Sequence, residues 1–410
     1  MRAVIQPGNP RGRMEAPPSK SMAHRLLICA GFAEGESVIR HVDASEDILA
    51  TADCLRALGA EVRIEEETAY IRGCDPRKAG EALLACRESG STLRFMIPAA
   101  LLCGKDIRFT GSERLMSRPL TVYEALCAER GMVFVREDGG LRVRGTLTSG
   151  AYTVRGDISS QFISGLMLAL PLTGADSRIG ILPPLESRPY LDLTVQALRD
   201  SGIEAEWDGE YALNIPAGAY RARETMVEGD YSNAAYLDIL NDAGGKVELT
   251  GLRTDSLQGD RVYSRYLAEI RKGTPELDLT DCPDLAPALI AAAALNHGAK
   301  LTGTRRLRMK ESDRGEAMRE EMAKFGIILE NKENEILIPG KMPEAPAEPL
   351  DGHNDHRIVM ALAAVCARTG GTLDGAEAVR KSLPDYWDRL AALGIQAEVE
   401  PWNGSAGKIS

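Results

Sequence analysis

Ser19–Ile39, SKSMAHRLLICAGFAEGESVI, reads as a capped helix, a glycine break and a strand, and the same order returns five more times along the chain. The returns are SGSTLRFMIPAALLCGKDIRF (89–109), SSQFISGLMLALPLTGADSRI (159–179), YSNAAYLDILNDAGGKVEL (231–249), PDLAPALIAAAALNHGAKL (283–301) and NDHRIVMALAAVCARTGGTL (354–373). Each opens near Ser, Asn or Asp and runs through a mostly apolar helix, which marks these helices as buried. A second series interleaves with them: CLRALGAEVRI, ALCAERGMVFV, ALRDSGIEAEW, AEIRKGTPELDL, EMAKFGIILEN and LAALGIQAEVE, each an amphipathic helix, a Gly stop and an extended segment. Their glycines, at 59, 131, 202, 273, 326 and 394, are spaced by 72, 71, 71, 53 and 68 residues. That period is too long for a solenoid and suits a unit with one buried helix, one surface helix and the strands between them. Six units in 410 residues, more than one core normally supports, divide as three and three into two domains of similar α/β fold.

The polar residues of the buried helices gather at their amino ends: Lys20 and Arg25, Ser91 and Arg94, Ser159 to Gln161, Ser232 and Asn233, Asp284, and Asn354 with His356 and Arg357. Pro18, with Ser19 or Ser21 as cap, predicts a helix beginning near Lys20. Caps explain Ser, Asn and Asp. They do not explain Lys or Arg at the positive end of the helix dipole in three of the six, where the charge is unfavourable unless an anion binds there.

The net charge of −11 argues against a nucleic-acid partner, yet leaves room for an anionic small molecule where cations are gathered. The longest strongly apolar stretch, Leu285–Leu295, is too short to span a bilayer, and the first residues have no signal-peptide core, so no membrane partner and a cytoplasmic location are expected. The eight cysteines (29, 54, 74, 86, 103, 127, 282 and 366) lack CxxC pairing and read as reduced thiols. P-loop, dinucleotide and GxSxG signatures are absent. DGHNDHR (351–357) offers possible metal ligands, but Arg357 would repel a cation, so capping plus anion binding is the better reading and neither metal nor cofactor is expected. In MKESDR (309–314) a helix would put Lys310 and Arg314 on one face, with Glu311 beside Arg314.

SKSMAHR, ESGSTLR, SRPL, DISSQF, SRPY, VEGDYSNAAY, DSLQGD, CPD, KESDR, NDHR and KSLPDYW occur in that order across the whole chain. Together they resemble the 5-enolpyruvylshikimate-3-phosphate synthase family. The resemblance implies a two-domain inside-out α/β barrel of six βαβαββ repeats, three per domain, with the active site in the interdomain cleft. It puts the N-terminal domain at 16–228 and the C-terminal domain at 1–15 and 229–410, with crossings near Glu15–Pro18 and Glu228–Asp230. The implied reaction moves the enolpyruvyl group of phosphoenolpyruvate to the 5-hydroxyl of shikimate 3-phosphate. By the same resemblance Lys20, Ser21, Arg25, Ser159, Ser160, Gln161, Ser187, Asp284 and Lys310 hold shikimate 3-phosphate. Lys20, Gly90, Arg118, Gln161, Arg314, Arg357 and Lys381 hold phosphoenolpyruvate. Asp284 is then the expected base at the hydroxyl, and Glu311 or Lys20 the expected acid at the vinyl carbon. The expected protein is a monomer.

One position departs from the family pattern: Glu88 stands where Asn often precedes the glycine by two residues. The homologous UDP-N-acetylglucosamine enolpyruvyl transferases share fold and donor, but carry a reactive cysteine in the loop before their RP motif. Here that loop is SERLMSRPL (112–120), with Cys103 and Cys127 outside it. A noncatalytic binder of sugar or cyclitol phosphates would gain nothing from Asp284 and Glu311 among cations.

Overall fold

Along the strands Glu36–Arg40, Ala151–Arg155 and Glu335–Pro339 every second residue is buried. Such strands form sheets with one dry face that needs a cover and one face that meets water. The cover is helical. Ala286–Leu295 buries all ten of its residues, and Ser160–Ala169 buries every residue except Gln161. Helices apolar all round lie under the sheets, while amphipathic ones such as Arg188–Asp200 keep a wet face.

The computed structural model describes residues 1–401, so the expected domain end at 402–410 lies outside the described residues. Two units divide the chain. One comprises Pro17–Asp230 with Leu252–Gly259; the other comprises Met1–Ala16, Tyr231–Gly251 and the chain from Asp260 onward. The excursion of Leu252–Gly259 differs from the uninterrupted 229–410 read from sequence. Gln258 ties this segment down by donating to the Gly229 carbonyl at 2.8 Å.

In the first unit, Ala82–Ala85 pairs in parallel with Ile107–Thr110 across the buried helix Gly90–Ala100, and the hairpin Val133–Glu137/Gly140–Arg144 completes the sheet antiparallel. Ala151–Arg155, Ser177–Leu182, Glu206–Trp207 and Ala212–Ile215 repeat this order around Ser160–Ala169. The remaining sheet takes its first strand, Glu224–Met226, from the far end of the unit, parallel to Glu36–Arg40. In the second unit Arg2–Ile5 plays the complementary part, filling the place between Gly371–Asp374 and Ala397–Glu400.

The strands form five four-stranded sheets and one two-stranded pair among the described residues, open sheets over buried helices that accord with the fold expected from the resemblance. One expectation needs correction: one repeat is truncated. Arg11–Glu15 and Lys246–Thr250 pair only with each other, and the strand after Gly273, Glu276–Asp278, opens the next sheet beside Gly298–Thr302. The short spacing of 53 residues is the missing hairpin. Consistently, Gly59, Gly131, Gly202, Gly326 and Gly394 stop their helices with positive φ, whereas Gly273 is not among the positive-φ glycines.

Candidate functional site

The first unit presents the capped ends of three buried helices. Ser19, Ser89 and Ser159 accept from the backbone N–H groups of Met22, Thr92 and Gln161, so helices begin at Lys20, Gly90 and Ser160. Lys20 Nζ lies 2.8 Å from Asp47 on the helix Glu46–Ala57. Arg25 is buried and held by four contacts: Thr194 Oγ1 at 2.8 Å, the Ser21 carbonyl at 2.6 Å, the Tyr190 carbonyl at 2.8 Å and Ser164 Oγ at 3.3 Å. Burial lowers its pKa to about 10, which leaves it cationic near neutrality. Ser187, buried at φ 60°, precedes the helix whose Tyr190 carbonyl Arg25 grips.

Gln161 joins two of these ends, accepting from Arg94 Nη1 at 2.8 Å and donating to Ser91 Oγ at 2.9 Å. Gly90 leaves room here for two arginine ends. A Cβ at this position would sit 2.6 Å from Arg118 Nη1 and 2.9 Å from Arg94 Nη1, so two guanidinium groups approach the bare backbone. Lys20, Arg25, Gly90, Arg118 and Gln161 are thus drawn to the amino ends of the inner helices, with Ser21, Ser159 and Ser160 on their first turns and caps.

The second unit gathers the remaining candidates around one carboxylate. Asp284 Oδ1 meets Lys310 Nζ at 3.0 Å and Arg314 Nη1 at 2.8 Å, and Oδ2 meets Arg357 Nη2 at 3.2 Å. Burial alone would raise its pKa, but Arg357, Lys310 and Arg314 hold it well below the usual carboxylate range. Arg314 is 1% exposed and clamps two more carboxylates: Glu311 Oε2 at 2.6 Å and Asp355 Oδ2 at 2.9 Å. Lys310 loses solvation, and its pKa falls despite Asp284. Lys381 donates to the Asn354 carbonyl at 2.6 Å.

Lys310 and Arg314 do not share a helical face as expected. Lys310 is extended, and the helix Arg314–Lys324 starts after the Asp313 cap. The turn still delivers Glu311 to Arg314. Sequence reasoning missed Asp47, Thr194 and Tyr236, whose hydroxyl donates to the Asp284 carbonyl at 2.9 Å, and it weighed Asp355 as a metal ligand or part of a cap, not as a partner of Arg314. Asp355 does cap, accepting from the Arg357 N–H, and also fixes Arg314.

A family model described as EPSP synthase (3-phosphoshikimate 1-carboxyvinyltransferase) matches residues 4–390. The 3-phosphoshikimate 1-carboxyvinyltransferase of Clostridium kluyveri is 38% identical, over 98% of this chain and 99% of its own. That of Clostridium botulinum strain Eklund 17B is 36% identical, over 97% and 98%. Among solved structures, EPSP synthase from Acinetobacter baumannii superposes with a TM-score of 0.76 at 23% identity, covering 97% of this chain and all of that one. The enolpyruvyl transferase NikO from Streptomyces tendae gives 0.75 at 16% identity, covering 97% and 98%. At these identities the two structures speak for the fold.

Proposed function

The chain belongs to the EPSP synthase (3-phosphoshikimate 1-carboxyvinyltransferase) family, and from that premise we propose that the two sets of residues just described divide its reaction between them. The activity is transfer of the enolpyruvyl group of phosphoenolpyruvate to the 5-hydroxyl of shikimate 3-phosphate, with release of phosphate, in aromatic amino acid biosynthesis. In the proposed division, Lys20, Ser21, Arg25, Ser159, Ser160, Gln161, Ser187, Asp284 and Lys310 hold shikimate 3-phosphate. Lys20, Gly90, Arg118, Gln161, Arg314, Arg357 and Lys381 hold phosphoenolpyruvate, guanidinium forks matching its carboxylate and phosphate.

The observation that carries this reading is Arg314 bonded to both Asp284 and Glu311, which keeps a base and an acid inside one cationic cluster. Asp284 bound to three cations is a weak base. When the polyanionic substrates neutralise Lys310 and Arg357, the hold on Asp284 loosens and its proton affinity rises, so it gains strength as base once the ligands are in place. Asp284 then takes the hydroxyl proton during addition. Lys20 released from Asp47, or Glu311 once the bound anions have raised its proton affinity and it is protonated, delivers a proton to the vinyl carbon; phosphate then leaves from the tetrahedral intermediate as the new methyl group gives a proton back to the same residue, restoring the double bond. The enzyme works without a cofactor, as a cytoplasmic monomer, and glyphosate competes in the phosphoenolpyruvate pocket.

The cysteines speak against a UDP-N-acetylglucosamine enolpyruvyl transferase. Burial raises the thiol pKa of Cys127 to about 11, and Ser112–Leu120 holds no cysteine. The deciding assay is phosphate release from phosphoenolpyruvate with shikimate 3-phosphate or UDP-N-acetylglucosamine as acceptor. Release with the first acceptor alone is expected; release with the second alone overturns the reading.

A further inference from the structure

One short loop, 351–355, touches all three second-unit cations assigned above to phosphoenolpyruvate, through the side chains of Lys381 and Arg314 and the backbone of Arg357. Its Asn354 carbonyl takes Lys381 Nζ at 2.6 Å, its Asp355 carboxylate takes Arg314 Nε at 2.9 Å, and the same carboxylate caps the helix that begins His356–Arg357. The loop is bent sharply, with His353 at φ 48° and Asn354 at φ 50°, two consecutive residues in the left-handed region. Side-chain-bearing residues adopt that conformation at a cost, so something must hold it.

The holder is Glu321, seven residues beyond Arg314 on the same helix and 3% exposed. One oxygen accepts the Asp351 N–H at 2.9 Å and the other lies 3.2 Å from His353 Nε2. We propose that Glu321 and His353 are positioning residues for enolpyruvyl transfer, anchoring the loop that sets Arg314, Arg357 and Lys381. The proposal rests on the functional reading above. His353 Nε2, Glu321 and Glu320 also bring potential metal ligands within 4.8 Å of one another. Lys324 Nζ, however, sits 3.0 and 2.8 Å from the two oxygens of Glu321, so a protein cation already fills the place.

The anchor is graded by pH. The charged groups facing His353 are Glu321 and Glu320 from the helix and Asp351 from its own loop; Lys324 pairs with Glu321, and the neighbouring Asp374 is occupied by Arg2. The bond to Glu321 raises the pKa of the imidazole against the opposing effect of burial. A raised pKa means that the charge-assisted contact is complete at pH below the ordinary histidine range and fades as pH rises through the folded-state value. A neutral ring still donates from one tautomer, so the contact weakens without vanishing.

His353→Asn is the informative variant, because Asn tolerates left-handed backbone and the change removes the imidazole alone. Loss of one charge-assisted hydrogen bond should raise KM for phosphoenolpyruvate roughly three- to tenfold near pH 6, with the ratio to wild type shrinking toward about pH 9. KM for shikimate 3-phosphate and kcat should change less than about twofold. His353→Gln, whose longer side chain can carry its amide donor toward Glu321, should recover part of the loss. A ratio flat across pH, or equal rises in both KM values, would overturn the proposal. A second measurement is independent of turnover: NMR titration of the His353 ring should give a raised pKa that drops in Glu321→Gln, and an unchanged pKa there also overturns it. If wild type releases no phosphate from the two substrates, the functional reading fails instead, while the titration still judges the anchor.

Discussion

Replacing Asp284 by Asn keeps the shape of the side chain and removes the one negative charge shared by Lys310, Arg314 and Arg357. The three cations lie 3.0, 2.8 and 3.2 Å from its oxygens, and the side chain is only 17% exposed. Breaking a buried pair by removing one partner costs about 3–5 kcal/mol. For a unit of this size that corresponds to a fall of roughly 6–20 °C in its unfolding midpoint at neutral pH. The effect has a pH signature. Asp284 has a folded-state pKa depressed below its ordinary value, so its stabilisation is present above the unfolded carboxylate range and is lost as pH falls through the folded pKa. Wild type and Asp284→Asn should therefore converge under strongly acidic conditions. Catalysis should suffer separately. If Asp284 is the base, kcat should fall about 10²- to 10⁴-fold, with KM for phosphoenolpyruvate moving far less. Steady-state phosphate release beside calorimetric unfolding reads both effects. A variant that loses stability as expected but keeps kcat within tenfold of wild type would show that Asp284 only organises the cations, and the assignment of base would be wrong.

Three further outcomes follow from the first unit. Arg118→Ala should weaken phosphoenolpyruvate binding roughly ten- to a hundredfold and leave shikimate 3-phosphate nearly intact, a contrast titration calorimetry detects directly. Gly90→Ala places a methyl group where Arg118 and Arg94 Nη1 now approach; because flexible side-chain ends can yield, the fold should survive while KM for phosphoenolpyruvate rises several-fold, measured by initial rates. If Glu88 faces the phosphoenolpyruvate pocket, Glu88→Asn should tighten phosphoenolpyruvate by about 1 kcal/mol and glyphosate by less, since the inhibitor's ammonium loses a favourable neighbour; if it faces solvent or pairs with Arg118 or Arg94, both constants change little or weaken. Michaelis and inhibition constants for both proteins test this, and an equal or larger gain for glyphosate refutes the pocket-facing arrangement.

What could be read in advance follows a physical division between local and tertiary information. The inner helices were legible because a segment such as APALIAAAAL has no polar face and fits only a core, and five of the six glycine stops do adopt positive φ. The spacing of 53 residues was visible too, but a missing hairpin leaves no residues to read. Strands Arg2–Ile5 and Glu224–Met226 are ordinary locally, and only tertiary pairing reveals which sheets they complete. The site divides in the same way. Lys20, Arg94 and Arg357 stood out because each places positive charge where a helix dipole opposes it. Their partners carry no such mark: Asp47 is one acidic residue in the first turn of a surface helix, where acids are common. Arg357 joins the two kinds of information in one residue. Its backbone N–H is satisfied two residues away by the Asp355 cap, which sequence predicts. No local group satisfies its guanidinium, which reaches 73 residues back along the chain to Asp284, and that choice of partner turns an awkwardly placed cation into part of a site.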